Sequence, residues 1–331
     1  MPIIHTDISL EKYKQLRIIF MGTPDFAVAS LAALVKAGCN IVGVVTAPDK
    51  PGGRGMQLQQ SAVKKYAVEN NLTILQPEKL KNPEFIDALR SLKADLQIVV
   101  AFRMLPEVVW NMPPMGSVNL HGSLLPNYRG AAPINWAVIN GEKETGVTTF
   151  KLKQEIDTGN ILLQESFPIN EEDNVGIVHD TMKDVGAALL LKTVKGLADG
   201  SIEERPQAQV SGGTHLTGND DRHTGLKHAP KIFTETCQID FNKTTEEVYN
   251  LIRGLSPYPA AFTFLKGKKL KIFKSEKLKK ASEHIAGNFE TDGKTFLQFA
   301  CADGYIRITD LQLEGKKRML TEDFLRGYRF E

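Results

Sequence analysis

Asn119 and His121 stand two residues apart in the segment 117–132 (SVNLHGSLLPNYRGAA), and this spacing is the most chemically suggestive feature of the chain. Alternate residues of an extended strand share a face, so the amide and the imidazole project together while Val118 and Leu120 point the other way. Both groups can donate hydrogen bonds. Two donors aimed at one carbonyl oxygen suit acyl transfer, in which that oxygen becomes an oxyanion. Taken alone, a histidine closing a strand is more often a hydrogen-bonded structural residue. A second polar cluster, Glu155-Ile156-Asp157-Thr158-Gly159, reads as a turn. Asp-Thr-Gly is ordinary Asx-turn chemistry, but a carboxylate folded against His121 would hold the ring's orientation and help carry away the proton of an attacking amine. The chain has no GxSxG elbow, so a serine acyl-enzyme has no support.

The elements that must position these groups follow from the apolar pattern. Strands are expected at 16–22, 40–46, 72–76, 94–101, 117–121, 146–152 and 161–169. Helices are expected after a Thr23-Pro24-Asp25 cap and over about 60–70, 83–92, 131–140 and 174–198. This alternation predicts an α/β fold, a Rossmann-like, doubly wound, mostly parallel sheet, with ligands at the carboxyl ends of the strands. The first turn, Gly22-Thr23-Pro24-Asp25-Phe26, lacks the second and third glycines of a dinucleotide fingerprint, which argues against a nicotinamide or flavin enzyme.

Beyond a Gly-, Thr-, Asn- and Asp-rich stretch, Thr244 and Glu247 form a capping box opening a helix with Val248, Leu251, Ile252 and Leu255 on its apolar face. Short strands then follow at 260–265, 268–274, 284–290, 295–301 and 304–313, the pattern of a small C-terminal OB-like β-barrel domain. The expected division is a catalytic domain at 1–200, a linker at 201–230 and the barrel domain at 231–331.

The chain has 331 residues, of which 42% are hydrophobic and 24% charged, and a net charge of +2. These values exclude a disordered, fibrous or disulfide-built protein. Cys39, Cys237 and Cys301 form no metal-ligand spacing, and neither a leader segment nor a membrane-crossing run is evident, so a cytoplasmic, metal-free protein is expected, with a monomer as the default. The charge is concentrated locally: segment 266–280 (KGKKLKIFKSEKLKK) holds eight lysines and one glutamate. Such a run is usually a solvated face, and a nucleic-acid footprint is the alternative.

The motifs Asn119-Leu120-His121-Gly122-Ser123-Leu124-Leu125-Pro126, Arg129-Gly130-Ala131-Ala132-Pro133 and Asp157-Thr158-Gly159 resemble those of the formyltetrahydrofolate-dependent formyltransferases. The loop containing Pro48-Asp49-Lys50-Pro51 and Gly53-Arg54-Gly55, together with the appended barrel, is similar to the branch of that family acting on initiator tRNA. The resemblance implies transfer of the formyl group of 10-formyltetrahydrofolate to the α-amine of methionine carried by initiator methionyl-tRNA. By the same resemblance, Asn119, His121 and Asp157 would be the catalytic trio. Ser123, Leu124, Leu125 and Pro126, with Ala101 and Phe102, would contact the folate. The loop carrying Lys50 and Arg54, with Lys231 at a familiar basic position, would meet tRNA, and beside such a domain the run of Lys266, Lys268, Lys269 and Lys271 could neutralise its phosphates.

The chain departs from the family pattern at Ala101-Phe102-Arg103-Met104-Leu105-Pro106, which is one residue shorter than in many relatives. Thr234 and Phe241 also stand where Lys and Trp are frequent. Two alternatives remain at this point. One is the same chemistry on a small amine such as glycinamide ribonucleotide or an amino sugar nucleotide, or on water. The other is a non-catalytic nucleic-acid-binding module, against which the intact trio counts.

Overall fold

The seven apolar runs of the first half form one sheet in the computed structural model, which describes residues 11–52, 57–210, 225–280 and 284–330. Its strands are β1 (Arg17–Gly22), β2 (Asn40–Val45), β3 (Ile74–Leu75), β4 (Leu96–Val100), β5 (Ser117–His121), β6 (Glu144–Lys151) and β7 (Ile161–Pro168). They stand in the order β7-β6-β5-β4-β1-β2-β3. β1 to β5 are parallel, and β6 runs antiparallel to β5. Every residue of β4 is buried, as is all of β1 after Arg17. That is the mark of parallel strands covered on both faces. The strand order reverses between β1 and β4, which places the ligand crevice of a doubly wound sheet at the carboxyl ends of β1, β4 and β5.

Helices α1 (Asp25–Lys36), α2 (Ala62–Glu69), α3 (Pro83–Ser91), α4 (Pro133–Ile139) and α5 (Val175–Asp199) lie where the sequence signals put them, within a few residues. Ser61 and Asn82 cap α2 and α3 through their side chains. The expected cap of α1 is different: Pro24 occupies the cap position without a side-chain bond, and Asp25 in the first turn carries the favourable negative charge while pairing with Lys183 at 3.0 Å.

In the C-terminal region both halves of the Thr244–Glu247 capping box are formed at the start of α6 (Thr245–Leu255). Strands β8 (Ala261–Leu265), β9 (Lys268–Leu278), β10 (Phe289–Thr291), β11 (Leu297–Cys301) and β12 (Gly304–Leu313) pair antiparallel in the order β8-β9-β12-β11-β10. The register of β9 on β12 slips around Ile272, Lys274 and Ser275, an irregularity of the kind that bends a sheet toward the curled OB-like form. The strand expected at 284–290 is confined to β10, because Asn288 N–H turns back onto the Ile285 carbonyl. A closing helix, α7 (Thr321–Gly327), is only two turns long, too short for apolar periodicity to announce it. The core here joins Val248, Ile252 and Leu255 of α6 to Phe262, Leu270, Phe299 and Leu311, and Phe241 stacks on Phe299 at 5.0 Å.

The chain forms two compact units that interleave along the sequence. One comprises Met1–Asn127, Gly146–Ser166 and Asp180–Leu226; the other comprises Tyr128–Thr145, Phe167–His179 and Lys227–Glu331. Thus α4 belongs with the C-terminal unit, where Asn135 donates from Nδ2 to the Gly254 carbonyl at 2.9 Å. Among the described residues no helix is long and apolar enough to cross a membrane.

All three thiols are buried and free. Burial pushes Cys39 up to about 11 and Cys301 up to about 12, and raises Cys237 as well. Since the thiolate is the reactive form, the native protein should resist alkylation at pH 8 and titrate three thiols only after unfolding. A thiol-counting assay with and without guanidinium checks this, and rapid native labelling would contradict it.

Candidate active site

β5 ends with the amide–imidazole pair. α5 packs on the other face of this strand, with Gly186 lying against Leu120, so Asn119 and His121 take the face α5 leaves uncovered. Asn119 is half-buried, and His121 is 7% exposed. The imidazole meets the edge of the fully buried Phe150 ring at 6.4 Å, in a T-shaped contact.

Asp157 comes to the histidine from the turn between β6 and β7. Its Oδ2 is 3.9 Å from His121 Nδ1, an ion-pair distance rather than the roughly 2.9 Å of a short N–H···O bond. The turn is shaped tightly. Asp157 has φ +55°, in the left-handed region that short polar residues tolerate best. At Gly159 a Cβ would stand 1.6 Å from the Lys151 carbonyl oxygen, so only glycine fits. Lys151 N–H in turn donates to the Asn160 carbonyl at 3.0 Å.

The loop after β5 is braced from within. Ser123 is fully buried and donates its hydroxyl to the Asn127 carbonyl at 2.7 Å. Thr148 of β6 donates to the Ser123 carbonyl and accepts from Leu125 N–H, while Gln164 of β7 donates to both the Leu125 carbonyl and Thr148 Oγ1. Leu125 is 1% exposed and packs with Phe150 and Ile161. The side chains of Ser123, Leu125 and Pro126 are therefore spent on the loop and core, and Leu124 is the one of the four that keeps partial exposure. Thr148 and Gln164 escape a reading of the sequence. Their strands read ETGVTTFK and ILLQESFP, in which several polar residues alternate with apolar ones and none is marked out.

At the end of β4, Ala101 is exposed and left-handed, with φ +47°. Phe102 is half-buried against the core around Val99 and Val109. The segment is held by Arg103, whose guanidinium donates to the carbonyls of Pro77 and Glu78 and lies 5.7 Å from the Phe102 ring centroid. β4 and β5 pair in register through Val99–Asn119 and Val100–Leu120, and Ala101 and His121 are the next residues of their segments beyond the last pair. Of the residues expected to contact the folate, Ala101 is exposed and Phe102 and Leu124 keep partial exposure. Among the described residues no group of three or more His, Cys, Asp or Glu could hold a metal ion.

The basic residues separate into classes. Lys50 opens a two-stranded hairpin, Lys50–Gly52 with Gln57–Gln59, whose base is fixed by Asp49; Lys64 and Gln76 both donate to that carboxylate and hold it below the usual range. Arg54 lies outside the described residues. Lys231 is exposed, 5.5 Å over the Phe233 ring, and edges an open concavity of about 260 Å³ lined also by Ala131, Ala132, Ile232, Tyr258 and Pro259.

Lys266 and Lys268 are exposed at the β8–β9 turn. Lys269 and Lys271 share one face of β9 and stand opposite Phe264 and Phe262, with Lys269 Nζ 3.6 Å from the centroid of the Phe262 ring. By contrast Lys277, in the same run, is bound between Glu171 and Glu246 at 2.8 Å from each. Arg318 is paired with Asp310 and Arg326 with Asp323. Phe241 is core.

Comparison with known proteins agrees along most of the chain. Residues 16–194 match the formyl transferase family model and residues 231–329 its C-terminal domain. A methionyl-tRNA formyltransferase of Bacteroides fragilis is 55% identical over 96% of each chain. One from Phocaeicola vulgatus is 57% identical, over 96% of this chain and 97% of its own. Among solved structures, an N-formyltransferase from Helicobacter canadensis in complex with folinic acid and dTDP-3-aminofucose shares the fold. It has a TM-score of 0.63 at 21% identity, covering 92% of this chain and all of its own.

Proposed function

Because the chain belongs to the methionyl-tRNA formyltransferase family, we propose a direct formyl transfer in which Asn119, His121 and Asp157 surround the reacting carbon. The enzyme moves the formyl group of 10-formyltetrahydrofolate to methionyl-tRNA, and we assign the acceptor as the α-amine of methionine on the initiator tRNA. The observation that carries the reading is the convergence of an amide, an imidazole and a carboxylate at the carboxyl end of β5, with His121 and Asp157 at 3.9 Å.

The folate supplies an activated formyl carbon. We assign its flat ring system to Ala101, Phe102 and Leu124, the apolar candidates that keep some exposure. The neutral amine adds to the carbon, and the oxygen takes up the negative charge. Asn119 Nδ2 and the imidazole donate to it. Asp157 holds the ring and offsets the positive charge that appears as the amine becomes bonded. Collapse breaks the bond to the folate nitrogen, and the proton lost by the amine balances the one gained by that nitrogen. No acyl-enzyme forms.

A labelled-formyl assay offering methionyl initiator tRNA, free methionine and small amino sugars or glycinamide ribonucleotide in parallel tests the assignment. Transfer to the tRNA alone is expected, and preferred transfer to a small amine would overturn it.

We assign phosphate contacts to Lys50, Arg54, Lys231, Lys266, Lys268, Lys269 and Lys271. The exposed Lys266 and Lys268 and the half-buried Lys271, with the half-exposed Phe264, form a basic and aromatic surface on the β8–β9 hairpin suited to a nucleic-acid backbone and its bases. Replacing these three lysines by glutamine should weaken tRNA binding and flatten log Kd against log salt by about 0.7–0.9 for each phosphate that is no longer neutralised. An unchanged slope would remove the hairpin from the interface. We further assign the enzyme to the cytoplasm and to a monomeric state.

A further inference from the structure

We propose that Gln207 is a positioning residue for Asp157, an inference that rests on the catalytic reading of Asp157 above. Gln207 lies in the stretch expected to be linker, yet it is 4% exposed. Its Nε2 donates to the Asp157 carbonyl at 2.7 Å and to the Gly159 carbonyl at 2.9 Å. A side-chain amide nitrogen carries two hydrogens, so both are committed to the carbonyls of the residues on either side of Thr158. The stretch carrying Gln207 is itself anchored: Arg205 and Ile161 exchange both backbone bonds, at 2.8 and 2.9 Å, and Asn160 donates to Glu204 at 3.1 Å.

The contact matters because of the conformation it holds. Asp157 is left-handed, a state costing about 1 kcal/mol or more for a residue with a Cβ, and its carbonyl would relax if the bond from Gln207 were removed. Relaxation on the far side is blocked, since Gly159 already touches the Lys151 carbonyl. Rotation of the Asp157 peptide therefore carries its carboxylate relative to His121, and the 3.9 Å separation is the quantity that Gln207 sets.

The test uses the full chain and two variants. Gln207→Met keeps the length and removes the donors; Gln207→Glu keeps the shape and offers an acceptor where two carbonyls need a donor. With both substrates saturating, kcat should fall about ten- to a hundredfold in each, the scale of a small misplacement, while KM for the folate and for tRNA stays within about threefold. Rates are read below the lowest unfolding midpoint of the set.

Each variant is then combined with Asp157→Asn. If Gln207 acts through the carboxylate, either substitution costs little more in that background. The same loss in both backgrounds would make Gln207 a scaffold residue, and wild-type kcat in Gln207→Glu would overturn the proposal outright. Asp157→Asn alone separates the two readings: full activity there defeats the catalytic assignment, whereas a defective Asp157→Asn beside an active Gln207→Glu defeats only this inference.

Discussion

His121→Ala should lower kcat for formyl transfer about a hundred- to a thousandfold, with the thermal midpoint changed far less than the rate, and Asn119→Ala should fall in the same range. The size follows from the role: each side chain supplies one donor to an oxygen that is charged in the transition state and much less so in the bound substrate. Loss of such a donor is felt in kcat more than in KM. The imidazole also fills space against Phe150, so His121→Ala carries a packing penalty. His121→Gln provides the control, keeping a donor and much of the volume. Partial recovery in His121→Gln is expected. If His121→Ala retains near wild-type turnover, the histidine is a structural residue closing a strand.

Gly159→Ala should be nearly as damaging, although it removes no functional group. The added methyl would sit 1.6 Å from the Lys151 carbonyl oxygen and 2.8 Å from the carbonyl carbon, both backbone atoms of β6. β6 is held by its pairing with β5, so the turn must give way, and it carries Asp157 with it. A displacement of the order of 1 Å at a catalytic group costs roughly a hundredfold in rate, and overpacking of this kind costs about 1–3 kcal/mol of stability. Parallel measurement of kcat and of urea unfolding distinguishes this from loss at Asp157 itself: Asp157→Asn should lose rate with little change in stability, whereas Gly159→Ala should lose both. A Gly159→Ala enzyme with wild-type rate would uncouple the turn from the chemistry.

The elements around the site can be read from the chain because their causes are local. β1 and β4 are apolar on both faces, and α6 announces itself through Thr244 and Glu247. The projection of Asn119 and His121 to one side follows from the period of a strand. What local pattern does not encode is which turn meets them. Asp157 reaches His121 because β6 returns antiparallel beside β5, a fact of sheet order, and its carbonyl is held by Gln207, which is 50 positions further along in a stretch with no apolar period. The same limit applies to Ser123 and Leu125. Their motif is evident, but the hydroxyl and the leucine turn inward onto Asn127 and Phe150, which only the closed loop reveals. Arg103 is a further case: no local pattern signals that its guanidinium bridges to the carbonyls of Pro77 and Glu78, 26 and 25 positions earlier in the chain.

The lysine-rich stretch 266–280 is not chemically uniform. Lys277, at 17% side-chain exposure, is locked between two carboxylates of its own unit, while Lys266, Lys268, Lys279 and Lys280 stand in water. An acylating reagent that neutralises amines would meet these populations at different doses. The outer lysines would react first, eroding affinity for polyanions while the fold stays intact. Lys277 would yield only later, leaving Glu171 and Glu246 to repel each other and loosening the unit from within.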